Sequence, residues 1–377
     1  MSPQIKILLL GDYSNCQHSL ATGLRSLGCE VTLVSDGSTW QNCRRDIDIS
    51  RRPGRLGGLE LYLRLSTSLR SRLRGYDIVS INDPNFASLR PRRLRTIFDR
   101  LRSDNGSVFL NAMSYDVPFL DMLADPACPL AYSEWFTAGR PTRLFRANED
   151  EWRQWHSKEM TDYHRHVYDR IDGAVSVLYE YHCALQRMLP PDKIAYGGIP
   201  VDLRQFAPVD LPEQIGCVRL FLGRDRSRML VKGSDYLEQA ARAVIDRHPG
   251  RAELVIVENR PFDEFVTMLR GAHIVLDQIY SYTPATTALM AMAYGLNVVS
   301  GGEDDYYDFI GEHDNRPIIN APTDLDALTD TIERIVLDPG AIAQRGRQSR
   351  LFVERHNDCT TVARRYLDFW TSRINRT

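Results

Sequence analysis

Lysine is nearly missing from this chain of 377 residues, which carries only Lys6, Lys158, Lys193 and Lys232 among 47 basic side chains. The seven cysteines (Cys16, Cys29, Cys43, Cys128, Cys183, Cys217, Cys359) are odd in number and scattered, with no C-x-x-C pair. That excludes a disulfide framework and a zinc knuckle, and fits a reducing compartment. No apolar run approaches the roughly 20 residues of a membrane span. The opening run Ile5–Leu10 is too short for a signal-peptide core and is broken by Lys6, so we read it as a first strand and expect a cytoplasmic protein. Glycine (24) and proline (19) are too few for a collagen-like or low-complexity chain. A net charge of −2 lacks the basic excess of a nucleic-acid binder, so no nucleic-acid partner is expected.

What is present is alternation. Short apolar runs at Ile5–Leu10, Glu30–Ser35, Asp77–Ile81, Val108–Ala112 and Ala174–Leu178 are separated by helix-like stretches. Continuous apolar strands between helices are the mark of a parallel sheet covered on both faces. The stretch 199–216 holds three prolines and little periodicity, and reads as a junction. Alternation then restarts: strands at Val218–Leu222, Glu253–Val257, Ile274–Ile279 and Asn297–Ser300, helices at Ser234–Arg247, Asp263–Arg270, Thr286–Tyr294 and Asp324–Leu337. The expectation is α/β: two Rossmann-like, doubly wound domains facing across a cleft. The first spans residues 1–200 and the second 201–358, with an amphipathic C-terminal helix in 359–377 packing back on the first.

Charge is uneven. Residues 41–105 hold 15 Arg, no Lys and 7 acidic residues, whereas residues 253–340 hold 16 acidic residues and 4 Arg. The first patch suits peripheral contact with an anionic membrane leaflet, at the inner face; a solvated arginine face, or pairing with the acidic half, is the plainer alternative.

The segment FLGRDRSRMLVKGSDYLEQA ends a strand at Gly223, follows with Arg224, and opens a helix at Lys232-Gly233. Two cations beside a helix N-terminus make an anion site, because free N–H groups and the helix dipole favour phosphate there. Arg supplies a planar fork and Lys a point charge, a pairing that suits a diphosphate. An ordinary strand-to-helix loop is the competing reading. In IYSYTPATTALMAMAYGLNVVSGG, Thr283-Pro284 reads as a helix start, with N–H donors near Ala285 and Thr286, or simply as the start of a buried helix.

These two segments resemble the donor domain of retaining, GT-B-fold family 4 glycosyltransferases. Gly223-Arg224…Lys232-Gly233-Ser234-Asp235-Tyr236-Leu237 is similar to the family stretch that holds the nucleotide-sugar diphosphate, and Leu289–Gly295 to its Leu-Glu-Ala-Met-Ala-x-Gly run. Gly197–Asp202 with Phe206-Ala207-Pro208 resembles the family linker, and Val353–His356 its C-terminal signature. The resemblance covers the second half well and the first half in outline. It departs where the family carries two Glu, one near the transferred sugar and one on the ribose: Tyr282 and Met290 stand there. Methionine cannot accept a hydrogen bond from a diol as a carboxylate does, so the donor is held differently, through Glu303 or Asp277, or activity is lost. The same stretch looks like a divergent subgroup of bacterial surface-polysaccharide synthesis.

The resemblance implies transfer of a sugar from a nucleotide-diphosphate sugar to a glycan or lipid-linked acceptor, with retention and with no metal or cofactor. Arg224 and Lys232 would stabilise the departing diphosphate. Gly223, Glu258, Tyr282, Thr283, Ala285, Thr286 and Glu303 would complete the donor site, Glu258 reading the nucleobase. Ligands of open α/β sheets sit beyond the carboxyl ends of strands. Gly11, Asp12 and Asn15 after the first strand, and Asp116 after another, are therefore acceptor candidates. His164-x-His166 does not put both rings on one helical face, which argues against a metal site. A catalytically silent binding subunit and a nucleotide-sugar epimerase are the alternatives.

Overall fold

Parallel strands form where apolar runs can be buried on both faces, and both sheets of this chain meet that condition. The computed structural model describes residues 4–38 and 41–374, so the outermost residues of the expected domains, 1–3 and 375–377, lie outside it. In chain order the strands are β1 (Lys6–Leu10), β2 (Glu30–Ser35), β3 (Ile47–Asp48), β4 (Ile78–Ile81) and β5 (Ser107–Ala112). A short antiparallel pair follows, β6 (Phe136–Thr137) and β7 (Arg140–Pro141), then β8 (Gly173–Ser176) and β9 (Ile194–Tyr196). The second half holds β10 (Val218–Arg224), β11 (Ala252–Glu258), β12 (Ile274–Leu276), β13 (Asn297–Ser300) and β14 (Ile319–Asn320).

The chain divides into two units. Unit 1 comprises Met1–Ala127, Glu149–Asp202 and Cys359–Thr377, and unit 2 comprises Cys128–Asn148 and Leu203–Asp358. The division thus differs from the sequence boundary in two places: Cys128–Asn148, placed by sequence in the first domain, groups with the second, and residues 201–202 stay with the first.

Unit 1 is built on a parallel sheet of order β3-β2-β1-β4-β5-β8-β9. Strand order reverses between β1 and β4, which pair from Ile7↔Ile78 to Leu10↔Ile81. Residues of β1, β4 and β5 fill cores on both faces of this sheet: Leu8, Val79 and Val108 on one, Ile7, Ile78 and Phe109 on the other. The helix Cys359–Arg373 closes the second core with Tyr366 and Trp370, both fully buried. Gly23 lets it approach the helix Cys16–Ser26, since a Cβ there would lie 2.0 Å from the Cys359 carbonyl oxygen.

Unit 2 carries a parallel sheet of order β11-β10-β12-β13-β14, reversing between β10 and β12. The helix Ser234–Arg247 buries Leu237, Ala240, Ala241 and Val244 at the 3- and 4-residue spacing of one helical face. The helix read at Thr286–Tyr294 runs Thr286–Ala293; it does not open at Thr283-Pro284, since Ala285 is extended and Thr283 lies buried in the preceding loop.

Candidate functional site

In a doubly wound sheet the loops at the carboxyl ends of the two strands flanking the reversal splay apart and leave a crevice. In unit 2 those ends carry Gly223-Arg224 (β10) and Asp277 (after β12), and the sequence-derived cations stand beside them.

Arg224 and Lys232 are each committed to carboxylates, on opposite sides of β10. Arg224 forms ion pairs with Glu258, its register partner on β11, and with Glu238 on the helix Ser234–Arg247. Its side chain is 16% exposed. Lys232 Nζ lies 2.8 Å from Asp277 Oδ1, whose side chain is fully buried, and the Ser300 hydroxyl donates to Asp277 Oδ2 at 3.1 Å. Glu258 also accepts from Arg226 at 3.0 Å, and these two arginines hold its carboxyl below the usual range. A cavity of about 380 Å³ opens on the Arg224 side, lined by Arg224, Glu238, Glu258, Arg260 and Met268. Gly223 has a packing reason: a Cβ there would meet the Phe265 ring at 2.6 Å.

On the Lys232 side, Gly233 takes φ +66° at the start of the helix Ser234–Arg247, where a Cβ would press on Ile279 at 2.5 Å. The helix Thr286–Ala293 has at its N-cap Ala285, which has no side chain able to cap its first turn. Met290, which the resemblance sets against the second family Glu, is buried.

Sequence reasoning missed the segment 128–148. It lays Tyr132 against Tyr282, rings 4.8 Å apart and near parallel. The Tyr282 hydroxyl accepts from the Ala131 N–H at 2.7 Å, and the Tyr132 hydroxyl donates to Glu303 Oε1 at 2.6 Å. Asn320 donates to the same oxygen at 2.7 Å. Arg143 of this segment grips Asp235 with both guanidinium nitrogens, at 2.6 and 3.2 Å, over the Tyr236 ring. Tyr282 and Glu303, two expected donor contacts, thus share one aromatic, hydrogen-bonded cluster. No motif announced it; the density of aromatics from Tyr132 to Phe145 was the available signal.

In unit 1 the carboxyl ends of β1 and β4 gather a second set of polar groups. Gly11, at φ +85°, passes so close to Asn82 that a Cβ would lie 2.0 Å from its Oδ1. Asp12 accepts from the Gln17 N–H at 2.8 Å through Oδ1, while its Oδ2 has no hydrogen-bond partner among the described residues. Among the same residues, fully buried Gln17 has no partner for either amide atom, and Asn82 Oδ1, Asn15 Oδ1 and Asn111 Nδ2 have none. Buried polar atoms are ordinarily satisfied, so such a concentration marks a place for a polar ligand or water. Burial pushes the carboxyls of Asp12 and Asp83 up to about 7. Asp83, missed from sequence although it follows an apolar strand, lies against the Tyr13 hydroxyl. Asp116 stands apart in role. It caps the helix Val117–Ala124 through Phe119 N–H and accepts the Tyr168 hydroxyl at 2.5 Å, so both its oxygens are engaged.

His164 and His166 do not converge. His164 Nδ1 accepts from the Val117 N–H, and burial pushes its pKa down to about 3; His166 bonds Asp99. Among the described residues, no group of His, Cys, Asp and Glu could hold a metal ion, and no helix is long and apolar enough to cross a membrane.

No family model matches the chain, and no curated protein matches its sequence. Solved structures do match its fold. Sucrose-phosphate synthase from Thermosynechococcus elongatus is similar at 15% identity and a TM-score of 0.61, covering 98% of this chain and 99% of that one. HepE of Anabaena, solved in complex with UDP-glucose, matches at 12% identity and a TM-score of 0.56, over 98% and 100% of the two chains. WaaG, a glycosyltransferase involved in lipopolysaccharide biosynthesis, matches at 13% identity and a TM-score of 0.56, over 97% and 100%. The two Rossmann-like sheets and these whole-length likenesses give the chain the GT-B glycosyltransferase fold.

Proposed function

We propose that this chain is a glycosyltransferase of the family 4 type. In this reading it moves a sugar, with retention, from a nucleotide-diphosphate sugar to a glycan or lipid-linked acceptor. Its work belongs to bacterial cell-surface polysaccharide synthesis, on the cytoplasmic side of the membrane. The observation that supports the reading is Lys232 beside Asp277 at the strand reversal of unit 2, with Arg224 at the carboxyl end of β10, within a GT-B fold matched along its whole length.

In the reaction, the bond from the sugar's anomeric carbon to the diphosphate oxygen breaks, and a bond to an acceptor oxygen forms on the same face. The acceptor's proton leaves with the diphosphate. Negative charge grows on the departing group, and fixed cations stabilise it more than they stabilise the bound substrate. Lys232 and Arg224 serve this role, with the uncapped N-terminus at Thr286 as a third contributor, and no metal is required. Tyr282, Tyr132 and Glu303 border the sugar, with Thr283 in the loop behind them. In unit 1, Gly11, Asp12 and Asn15 face the acceptor, joined by Asp83. Both sites then lie at strand reversals.

One observation favours a second reading, a silent binding subunit: both cations are already neutralised by carboxylates, and Tyr132 covers the residue that replaces the family's first Glu. Incubation of the purified chain with a panel of nucleotide-diphosphate sugars separates the two. Release of nucleoside diphosphate, unaffected by EDTA and accelerated by a glycan acceptor, supports the transferase. Binding of a nucleotide-sugar with no turnover under any acceptor supports the silent subunit.

A further inference from the structure

Segment 128–148 brings to the Lys232 side a cation that lies outside the strand-to-helix motif. Its helix Arg143–Ala147 packs on the helix Met229–Lys232, and both belong to unit 2. Arg143 bonds Asp235 through two guanidinium nitrogens, at 2.6 and 3.2 Å, and the Tyr280 hydroxyl accepts from the same guanidinium. Both partners flank Gly233. Asp235 opens the helix that follows it, and the Tyr280 ring would lie 3.1 Å from a Cβ placed on it. Ile279, next to Tyr280, donates its N–H to the Lys232 carbonyl at 3.0 Å. Arg143 and Lys232 therefore border one loop, whereas Arg224 is held by Glu238 and Glu258 on the other side of β10.

Neither cation is exhausted by its carboxylate. A guanidinium carries five N–H donors, more than Asp235 and Tyr280 engage, and an ammonium carries three, of which Asp277 takes one. The Arg143 side chain is 40% exposed, against 19% for Lys232 and 16% for Arg224, so it is the most open of the three to a ligand. It is also held in place. Its guanidinium lies 4.2 Å from the centre of the Tyr236 ring, Thr142 caps its helix, and the Thr142 N–H donates to the carbonyl of buried Trp135. A planar fork fixed beside a point charge suits the several oxygens of a diphosphate.

We infer that Arg143 is a further donor-site cation, joining Lys232 on the diphosphate of the nucleotide-sugar, with Asp235 as its positioning residue. The inference rests on the diphosphate reading of Lys232 and adds to it a residue that the motif does not contain. Segment 128–148 then serves two parts of the donor, Tyr132 the sugar and Arg143 the phosphates.

The test is calorimetric titration of the full chain with inorganic pyrophosphate and with inorganic phosphate at low salt, probes that need no knowledge of the nucleobase. Arg143→Gln should weaken pyrophosphate binding about tenfold or more. Asp235→Asn breaks the same ion pair but removes a negative charge from beside the anion, so pyrophosphate should bind at least as tightly as to the parent. Combining the two substitutions should lose that advantage. Were Arg143 only a strut for its segment, the two single variants would weaken binding alike, and that result overturns the inference. So does pyrophosphate binding by Arg143→Gln within about twofold of the parent; weakened binding by Lys232→Met with Asp277→Asn would then leave the diphosphate reading standing. Should Arg143→Gln fail to melt cooperatively, Asp235→Asn decides alone: retained or tighter binding supports the inference and weaker binding overturns it. A parent that binds pyrophosphate no better than phosphate overturns the diphosphate reading and the inference together.

Discussion

Replacing Lys232 by alanine removes the one cation that, among the described residues, is paired with Asp277, whose side chain is fully buried and then keeps the Ser300 hydroxyl as a side-chain donor. A buried carboxylate stripped of its partner costs about 3–5 kcal/mol, more than the intact pair contributes, because the charge must either stay desolvated or take up a proton. Lys232→Ala should therefore lower the urea midpoint sharply with little change in slope. Lys232→Met combined with Asp277→Asn removes both charges and keeps a side-chain oxygen to accept from Ser300, so it should recover most of the loss. That double variant then isolates the ligand role. A charged hydrogen bond is worth about 1.5–3 kcal/mol, so its affinity for a nucleoside diphosphate should fall about ten- to hundredfold. Lys232→Ala within about 0.5 kcal/mol of the parent would refute the pairing argument, since such a value is ordinary for a neutral surface substitution.

Other consequences are equally specific. Burial raises the Asp83 carboxyl from 3.8 to about 7, so its stabilising contribution is complete below about pH 4 and lost as pH rises to about 7. Asp83→Asn should match the parent at low pH, gain on it across that window and stay ahead above it, as pH-dependent melting would record; an unchanging difference contradicts the assignment. Gly11→Ala forces a Cβ into Asn82 at φ +85°, and should cost unit 1 about 1–3 kcal/mol in chemical unfolding. Tyr132→Phe removes the donor to Glu303 while keeping the ring on Tyr282, so the KM for the nucleotide-sugar should rise several-fold with the acceptor KM unchanged. Trp370→Ala empties a fully buried site in unit 1 and should destabilise it by about 3–5 kcal/mol.

Local pattern made most of the fold legible. Glu30–Ser35, Asn297–Ser300 and the helix Ser234–Arg247 fall on their sequence-read boundaries, because apolar period and turn residues agree with the packing there. The segment 128–148 was not legible, since a pair of two-residue strands has no period to read and its allegiance to unit 2 is set by contacts such as Tyr132 with Tyr282. The helix Thr286–Ala293 keeps its sequence-read start at Thr286, and Thr283 is buried in the loop before it. Residue types suggested Arg224 and Lys232 as anion binders, but their carboxylate partners lie 14, 34 and 45 positions along the chain, beyond any local pattern. Asp116, read as an acceptor contact, also has two structural roles that sequence did not show, a helix cap and a bond from Tyr168.

Calorimetric titration with uridine, guanosine, adenosine, cytidine and thymidine diphosphates, each against its monophosphate, bears most directly on the proposed binding of a pyrophosphate by Arg224 and Lys232. One diphosphate should bind clearly tighter than its monophosphate, and Arg224→Gln should abolish that margin in a chain that still melts cooperatively. Equal affinity for the two, or a margin that survives both Arg224→Gln and the Lys232→Met, Asp277→Asn pair, would contradict the account.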